Sequence, residues 1–242
     1  MYAIKTIGLT KKYGSITAVD GIDLEIERGE LFALLGVNGA GKSTAIKILS
    51  CLTRPTSGDA LIEGHSILTD EQDIKSIIAV SPQETAVAPN LTVRENLDLI
   101  LGVHGFSAEH RRTKIDELTK QFGLSEVLSR RAGKLSGGWS RRLSIAMALA
   151  SEPRVLFLDE PTLGLDVISR AELWELIRSL SGKVTILLTT HYMEEAEALS
   201  DRIGIMKDGR MLAVGTAEEL MASTGESRLE SAFISIVRRC ER

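Results

Sequence analysis

Gly36-Val37-Asn38-Gly39-Ala40-Gly41-Lys42-Ser43-Thr44 follows an apolar run, Leu31-Phe32-Ala33-Leu34-Leu35, and precedes Ala45-Ile46-Lys47-Ile48-Leu49, whose apolar residues fall at helical spacing. The pattern is G-x4-G-K-[ST] set between a strand and a helix. Glycines let successive backbone N–H groups converge on an anion, and the helix N-terminus adds the positive end of its dipole. Lys42 supplies a point charge, and the Ser43 hydroxyl is a ligand type suited to Mg²⁺. A glycine-rich surface turn that merely happened to precede Lys-Ser would lack both flanks. Gly36, Asn38, Gly39, Gly41, Lys42, Ser43 and Thr44 are therefore candidates for holding the phosphates of a nucleotide.

The 242 residues, 43% of them hydrophobic, suffice for one substantial core or a core with a small inserted subdomain. A net charge of −4 without a run of about five or six Lys or Arg lacks the electrostatic footprint of a nucleic-acid binder, so no nucleic-acid partner is expected. The N-terminus has no charged segment followed by an apolar one, and no apolar stretch approaches the roughly 20 residues that cross a bilayer. The expectation is a soluble, cytoplasmic chain. Cys51 and Cys240 lie far apart with no CxxC pair, which suits a reducing compartment and argues against a disulfide scaffold or a zinc site.

Residues 4–9 and 22–26 read as short strands, the second alternating apolar with acidic in Ile22-Asp23-Leu24-Glu25-Ile26, as a half-buried antiparallel strand does. Between them Lys11-Lys12-Tyr13-Gly14 reads as a turn carrying one aromatic. After the glycine-rich loop, Arg54 to Gly58 is turn-rich, Asp59 to Gly64 reads as a strand, and Ile77 to Val80 is a further strand running into Ser81-Pro82-Gln83. From about Leu91 to Arg131 the apolar residues fall at spacings of three and four, which predicts an inserted helical subdomain at about 84–150. Continuous apolar strands return at Val155 to Leu158 and Val184 to Leu188 around a helix containing Trp174, the pattern of a parallel sheet covered on both faces. Ile203 to Leu212 is an Asp-Gly hairpin. In the tail, 223–242, Leu229, Phe233, Ile234 and Val237 predict one apolar helix face followed by Arg238, Arg239 and Arg242. A helix packed on the domain fits this short face better than a membrane-surface anchor.

Val155-Leu156-Phe157-Leu158 ends in Asp159-Glu160, where a buried strand delivers two carboxylates to a sheet edge. Alone, these are as readily solvated acids as a metal site. Beside the loop at 36–44, Asp159 is a candidate for the Mg²⁺ shell and Glu160 for orienting or deprotonating an attacking water. Leu135-Ser136-Gly137-Gly138-Trp139 precedes an apolar helix, Leu143 to Ala150, so Ser136, Gly137 and Gly138 are a second phosphate-binding helix start.

The set now in hand is the loop at 36–44, Gln83, the motif at 135–139, Asp159-Glu160, Leu163-Gly164-Leu165-Asp166 and His191, in that order. Over about residues 2–220 it resembles the nucleotide-binding domain of an ATP-binding cassette (ABC) transporter. The resemblance implies an α/β P-loop NTPase core with a mostly parallel sheet, an N-terminal antiparallel β subdomain and an inserted helical subdomain in residues 1–222. It implies an ATPase with ATP and Mg²⁺ as ligands. By the same resemblance Tyr13 stacks on adenine, Gln83 touches Mg²⁺ or the water, Glu160 is the general base, and His191 contacts the γ-phosphate. Without the resemblance, Tyr13 reads as an edge tyrosine and His191 as an ordinary polar residue at a strand end. Ser136 and Gly138 would bind the nucleotide of the opposite subunit, and Asp166 would lie on the loop that crosses between subunits. The site is thus completed only in a homodimer or heterodimer. The family usually has Gln where this chain has Trp139, but the serine and both glycines are intact.

The partner implied is a separate membrane-spanning permease, through which the chain would sit peripherally on the cytoplasmic face of the membrane. Glu84 to Asn90, with Ala86, Val87 and Ala88, is the expected contact surface for a short cytoplasmic helix of that permease. Related ATPases acting on DNA carry a long coiled coil between loop and carboxylate strand, and no sustained heptads occur between Lys42 and Asp159. Ribosome-associated relatives usually carry two such domains, and this chain has one. A regulatory module without turnover is disfavoured by intact Lys42, Asp159, Glu160 and His191. Ser81 to Glu84, Leu91 to Leu97 and Leu229 to Phe233 look similar to the ABC-2 type branch, which implies export.

Overall fold

The computed structural model describes residues 2–239, so Cys240 and Arg242 lie outside the described residues. In chain order the elements are β1 (Tyr2–Tyr13), β2 (Ile16–Glu27), β3 (Leu31–Leu35), α1 (Lys42–Leu49), β4 (Ser57–Ile62), β5 (His65–Ser66), α2 (Glu71–Ile77) and β6 (Ile78–Ser81). They continue with α3 (Val93–Val103), α4 (Ala108–Gln121), α5 (Gly137–Leu149), β7 (Val155–Asp159), α6 (Val167–Arg178), β8 (Thr185–Thr190) and α7 (Met193–Leu199). The chain closes through β9 (Arg202–Lys207), β10 (Arg210–Gly215), α8 (Ala217–Thr224) and α9 (Leu229–Arg239).

Two sheets stack. The first has the order β2-β1-β4-β5 and is antiparallel throughout. The second has the order β10-β9-β3-β8-β7-β6, parallel except for the β9–β10 hairpin. Its inner strands are apolar at every position because both faces are covered, and alternate residues serve different cores. Leu31, Ala33, Leu35, Leu156, Leu158, Ile186 and Leu188 face the helices α3 to α7 and α9. Phe32, Leu34, Val155, Phe157 and Leu187 face the antiparallel sheet and α1. The α/β architecture with a mostly parallel sheet and an N-terminal antiparallel layer is the one expected.

Several local expectations change. Lys11, Lys12 and Tyr13 belong to β1, and the turn is Gly14-Ser15, because the hairpin register runs on to Tyr13 opposite Ile16. Both strands outrun their alternating segments because β1 shifts register between Thr6 and Leu9 and again before Lys11. Such bulges break the two-residue period without ending the pairing. Ser57 and Gly58 start β4 rather than completing a turn, and Ile77 ends α2 rather than opening β6. In α9 the buried face is Leu229, Ala232, Phe233 and Ile236, whereas Ile234 is exposed. The helix packs on the domain core, as anticipated for the tail.

Candidate active site

The loop between β3 and α1 is fixed by close backbone approach. A Cβ on Gly36 would lie 2.4 Å from the Met206 carbonyl oxygen, and one on Gly41, at φ +106°, 2.2 Å from that of Ala18. Only glycine fits either position. Lys42 opens α1 and folds its side chain back, its ammonium donating to the carbonyls of Gly36 (2.7 Å) and Val37 (3.3 Å). The same ammonium lies 3.2 Å from Glu160 Oε1, and both residues are buried.

Asp159 ends β7 next to α1, and its Oδ1 accepts from Ser43 Oγ (3.0 Å) and Thr189 Oγ1 (2.6 Å). Glu160 follows at φ +48°, its N–H donating to the Thr189 carbonyl (3.2 Å) and to Thr189 Oγ1 (3.0 Å). The left-handed turn swings its carboxylate sideways, with Oε1 toward Lys42 and Oε2 2.7 Å from His191 Nδ1. His191 stands one residue past β8, its ring 4.0 Å from that of Tyr192. The result is a chain of contacts, Lys42–Glu160–His191, across the carboxyl edge of the parallel sheet.

A cleft of about 410 Å³ opens on this edge, lined by Ala18, residues 38–44, Gln83, Glu160, Leu163 and His191. Gly36 and Asp159 are not among the lining residues, although the Asp159 carboxylate meets the lining residue Ser43. Tyr13 does not line it: the ring is exposed at the hairpin tip with the Lys11 ammonium 5.0 Å from its centroid. Ser136, Gly137 and Gly138 do not line it either. They start α5 elsewhere, with Ser136 exposed and Gly138 packed so closely on Ser169 that an added Cβ would sit 2.9 Å from its hydroxyl. Asp166 caps the neighbouring α6, accepting from the N–H groups of Ile168 and Ser169 and from the Ser169 hydroxyl, which holds its carboxyl below the usual range. Trp139 is half-buried against the helical core, with the Arg142 guanidinium 4.9 Å from its ring centroid.

Sequence reasoning missed four supports. Thr189 joins Asp159 to Glu160, and its signal was a Thr-Thr pair directly before His191. Asn96 is fully buried and pins residues 88–92, its amide bonding both the N–H and the carbonyl of Ala88. Arg141 is a buried guanidinium on α5 that donates to the carbonyls of Pro82 and Gln83. Glu195 is fully buried on α7 and accepts from Trp174 Nε1 (3.1 Å), while its Oε2 has no hydrogen-bond partner among the described residues. Burial pushes its carboxyl up, and neighbouring Glu160 pushes the same way.

A strand, glycine loop and helix backed by two strand-end acids define the P-loop nucleotide-binding class. A family model described as ABC transporter matches residues 19–163. The daunorubicin resistance ATP-binding protein DrrA3 of Streptomyces coeruleorubidus is 43% identical over 229 residues, covering 94% of this chain and 72% of that protein. A solved ATP-binding subunit of an ABC transporter superimposes with a TM-score of 0.86 at 28% identity, over 97% of this chain and 99% of that one. A dimeric post-hydrolysis state of the ATP-binding cassette MJ0796, bound to ADP and Pi, gives 0.79 at 30% identity, over 88% and 98%. The chain belongs to the ABC transporter family. Within that family it is an ATP-binding, ATP-hydrolysing subunit, and no described helix is long and apolar enough to cross a membrane.

Proposed function

We propose that this chain hydrolyses ATP in the cleft above α1 and works with a second nucleotide-binding subunit to drive a separate membrane permease, in the direction of export. The observation that carries the site assignment is the meeting of Lys42, Glu160 and His191 beside the Ser43–Asp159 pair. The backbone N–H groups of residues 38–44 and the Lys42 ammonium take the phosphates, and Tyr13, exposed at the hairpin tip outside the cleft, is the residue proposed to stack on the base. Glu160 accepts a proton from the water that attacks the γ-phosphorus as the bond to the ADP oxygen breaks, and His191 holds Glu160 and the γ-phosphate in register.

Ser43 Oγ and Asp159 Oδ1, 3.0 Å apart, are oxygen donors of the kind Mg²⁺ takes alongside substrate phosphates, and the Gln83 amide is a third. Among the described residues no cluster of three or more His, Cys, Asp or Glu competes as a metal cage. Mg²⁺, when bound there, neutralises charge on the phosphates.

Ser136, Gly137 and Gly138 point to a composite site, because Ser136 and Gly137 stand exposed at the start of α5, with Gly138 buried against Ser169, and none of the three lines this chain's own cleft. A dimeric cassette among the similar structures supports this arrangement. The drug-resistance ATP-binding proteins among the relatives support export, and their name as ATP-binding proteins supports a permease on another chain. Residues 84–90, braced by Asn96, are the proposed contact with that permease, which places the chain peripherally on the cytoplasmic face of the membrane. We read 84–150 as the inserted helical subdomain and 223–242 as the tail, a division that falls in the last turn of α8.

Lys42→Ala tests the cleft. Calorimetry with ATP is expected to show most of the affinity of the wild-type chain lost, since among the described residues Lys42 is the one Lys or Arg that lines the cleft. Unchanged affinity would overturn the assignment.

A further inference from the structure

Helix α5 grips the loop that carries Gln83 at three places. Arg141 is 5% exposed, and its guanidinium donates to two consecutive carbonyls, Nη1 to Pro82 at 2.6 Å and Nη2 to Gln83 at 2.5 Å. One residue earlier, Ser140 Oγ donates to Thr85 Oγ1 at 3.2 Å. One turn later, the buried hydroxyls of Ser144 and Ser81 meet at 3.0 Å. Ser81 is the last residue of β6 and pairs with Leu158, the neighbour of Asp159. The loop therefore leaves the sheet beside the acids and is at once tied down to α5.

A buried guanidinium carries a desolvation penalty, and burial pulls the Arg141 pKa down. Asp159 and Glu195 oppose that shift through space, and the two carbonyls supply hydrogen-bond acceptors. The planar fork matches two adjacent acceptors at fixed separation, which a lysine cannot do. Fixing the Gln83 carbonyl fixes the backbone from which its side chain reaches the cleft. The same helix begins with Ser136 to Gly138, roughly 4.5 to 7.5 Å along the axis from Arg141 at about 1.5 Å per residue.

We propose that Arg141 is the positioning residue for Gln83, and that it makes α5 and residues 81–85 one rigid piece. Seating of Ser136 to Gly138 on the nucleotide of a second subunit then sets Gln83 at this chain's own cleft. The two half-sites carried by one chain are linked through α5, with the buried Arg141 holding the Gln83 backbone itself. This rests on the composite-site reading above, in which Gln83 acts on the nucleotide.

The test is a kinetic cycle on the full chain with Arg141→Met, Arg141→Lys, Gln83→Ala and the Arg141→Met/Gln83→Ala pair. Arg141→Met is expected to leave the ATP dissociation constant within about two-fold while kcat falls about ten-fold, because the phosphate loop is untouched. The double variant is expected to be no slower than the slower single variant, since both changes remove the same contribution. Arg141→Lys keeps the charge but replaces the planar fork by one ammonium, and its kcat should fall about three-fold. Wild-type kcat in Arg141→Met, or losses that multiply in the double variant, would overturn the positioning role. Should Arg141→Met fail to unfold cooperatively, Arg141→Lys decides alone, and an unchanged kcat there overturns the proposal. Wild-type kcat in Gln83→Ala is a separate result, which would instead remove Gln83 from the site.

Discussion

Glu160 occupies a left-handed backbone conformation, φ +48°, that costs a non-glycine residue about 1–2 kcal/mol. The two hydrogen bonds its N–H makes to Thr189 offset that cost, and the turn aims its carboxylate at Lys42 and His191. The acid pair was legible in the sequence because an apolar strand ended on it. Thr189 was not, because a threonine after Leu188 looks like any strand residue until its neighbour across the sheet is known. Glu195 was illegible for the same reason: in Met193-Glu194-Glu195-Ala196-Glu197 nothing but the three-dimensional packing separates the buried glutamate from the others. Its carboxyl is raised from an ordinary value of 4.5, first by burial. The folded state therefore favours the neutral acid, and stability is lost as pH rises from the unfolded value through the folded one. Arg141, which favours the ionised form, and Glu160, which disfavours it, are the charged groups that face it. Glu195→Gln removes the titration while keeping the Trp174 acceptor. Its melting temperature relative to wild type is predicted to be higher at about pH 8 than at about pH 5. A difference that stays flat with pH, followed by calorimetry, would show that Glu195 ionises normally.

At the level of elements, legibility followed periodicity. β3, β7 and β8 were readable as apolar runs because a strand covered on both faces has no polar side, and the Asp208-Gly209 turn marked the β9–β10 hairpin. The β1–β2 ribbon was read too short because its bulges interrupt the alternation, which also displaced the turn from residues 11–14 to 14–15. The helix α3 starts on a capping box, Thr92 with Glu95, which its sequence carries openly. α9 was foreseen as a packed helix, but a face drawn through Ile234 overlooked Ala232, because small apolar residues add little to a hydrophobic pattern. Phe233 is buried in the helical core with Leu220 and Leu229. Phe233→Ala is predicted to destabilise the chain by about 3 kcal/mol in a urea titration while leaving ATP affinity unchanged. An unchanged midpoint would mean that α9 is not part of the core.

Across the whole molecule, two cores share one parallel sheet, and the sheet's carboxyl edge brings together residues distant in the chain, Lys42, Asp159 and His191. Every member of the ordered motif set was readable, but its division in space was implied only by the family resemblance, because residue spacing alone does not say which motifs meet. Gly39 to Thr44, Gln83, Glu160 and His191 line one cleft, and Ser136 and Gly137 stand exposed at a separate helix start whose Gly138 is buried against α6. That separation is the physical ground for proposing that a nucleotide is held between two subunits. Glu160→Gln keeps the shape of the site and removes the proton acceptor, so ATP should bind without turnover and hold the closed pair together. Gel filtration of the Glu160→Gln chain with saturating ATP measures this directly. The account predicts a dimer peak with turnover abolished, and a monomer peak with turnover at the wild-type rate would contradict it.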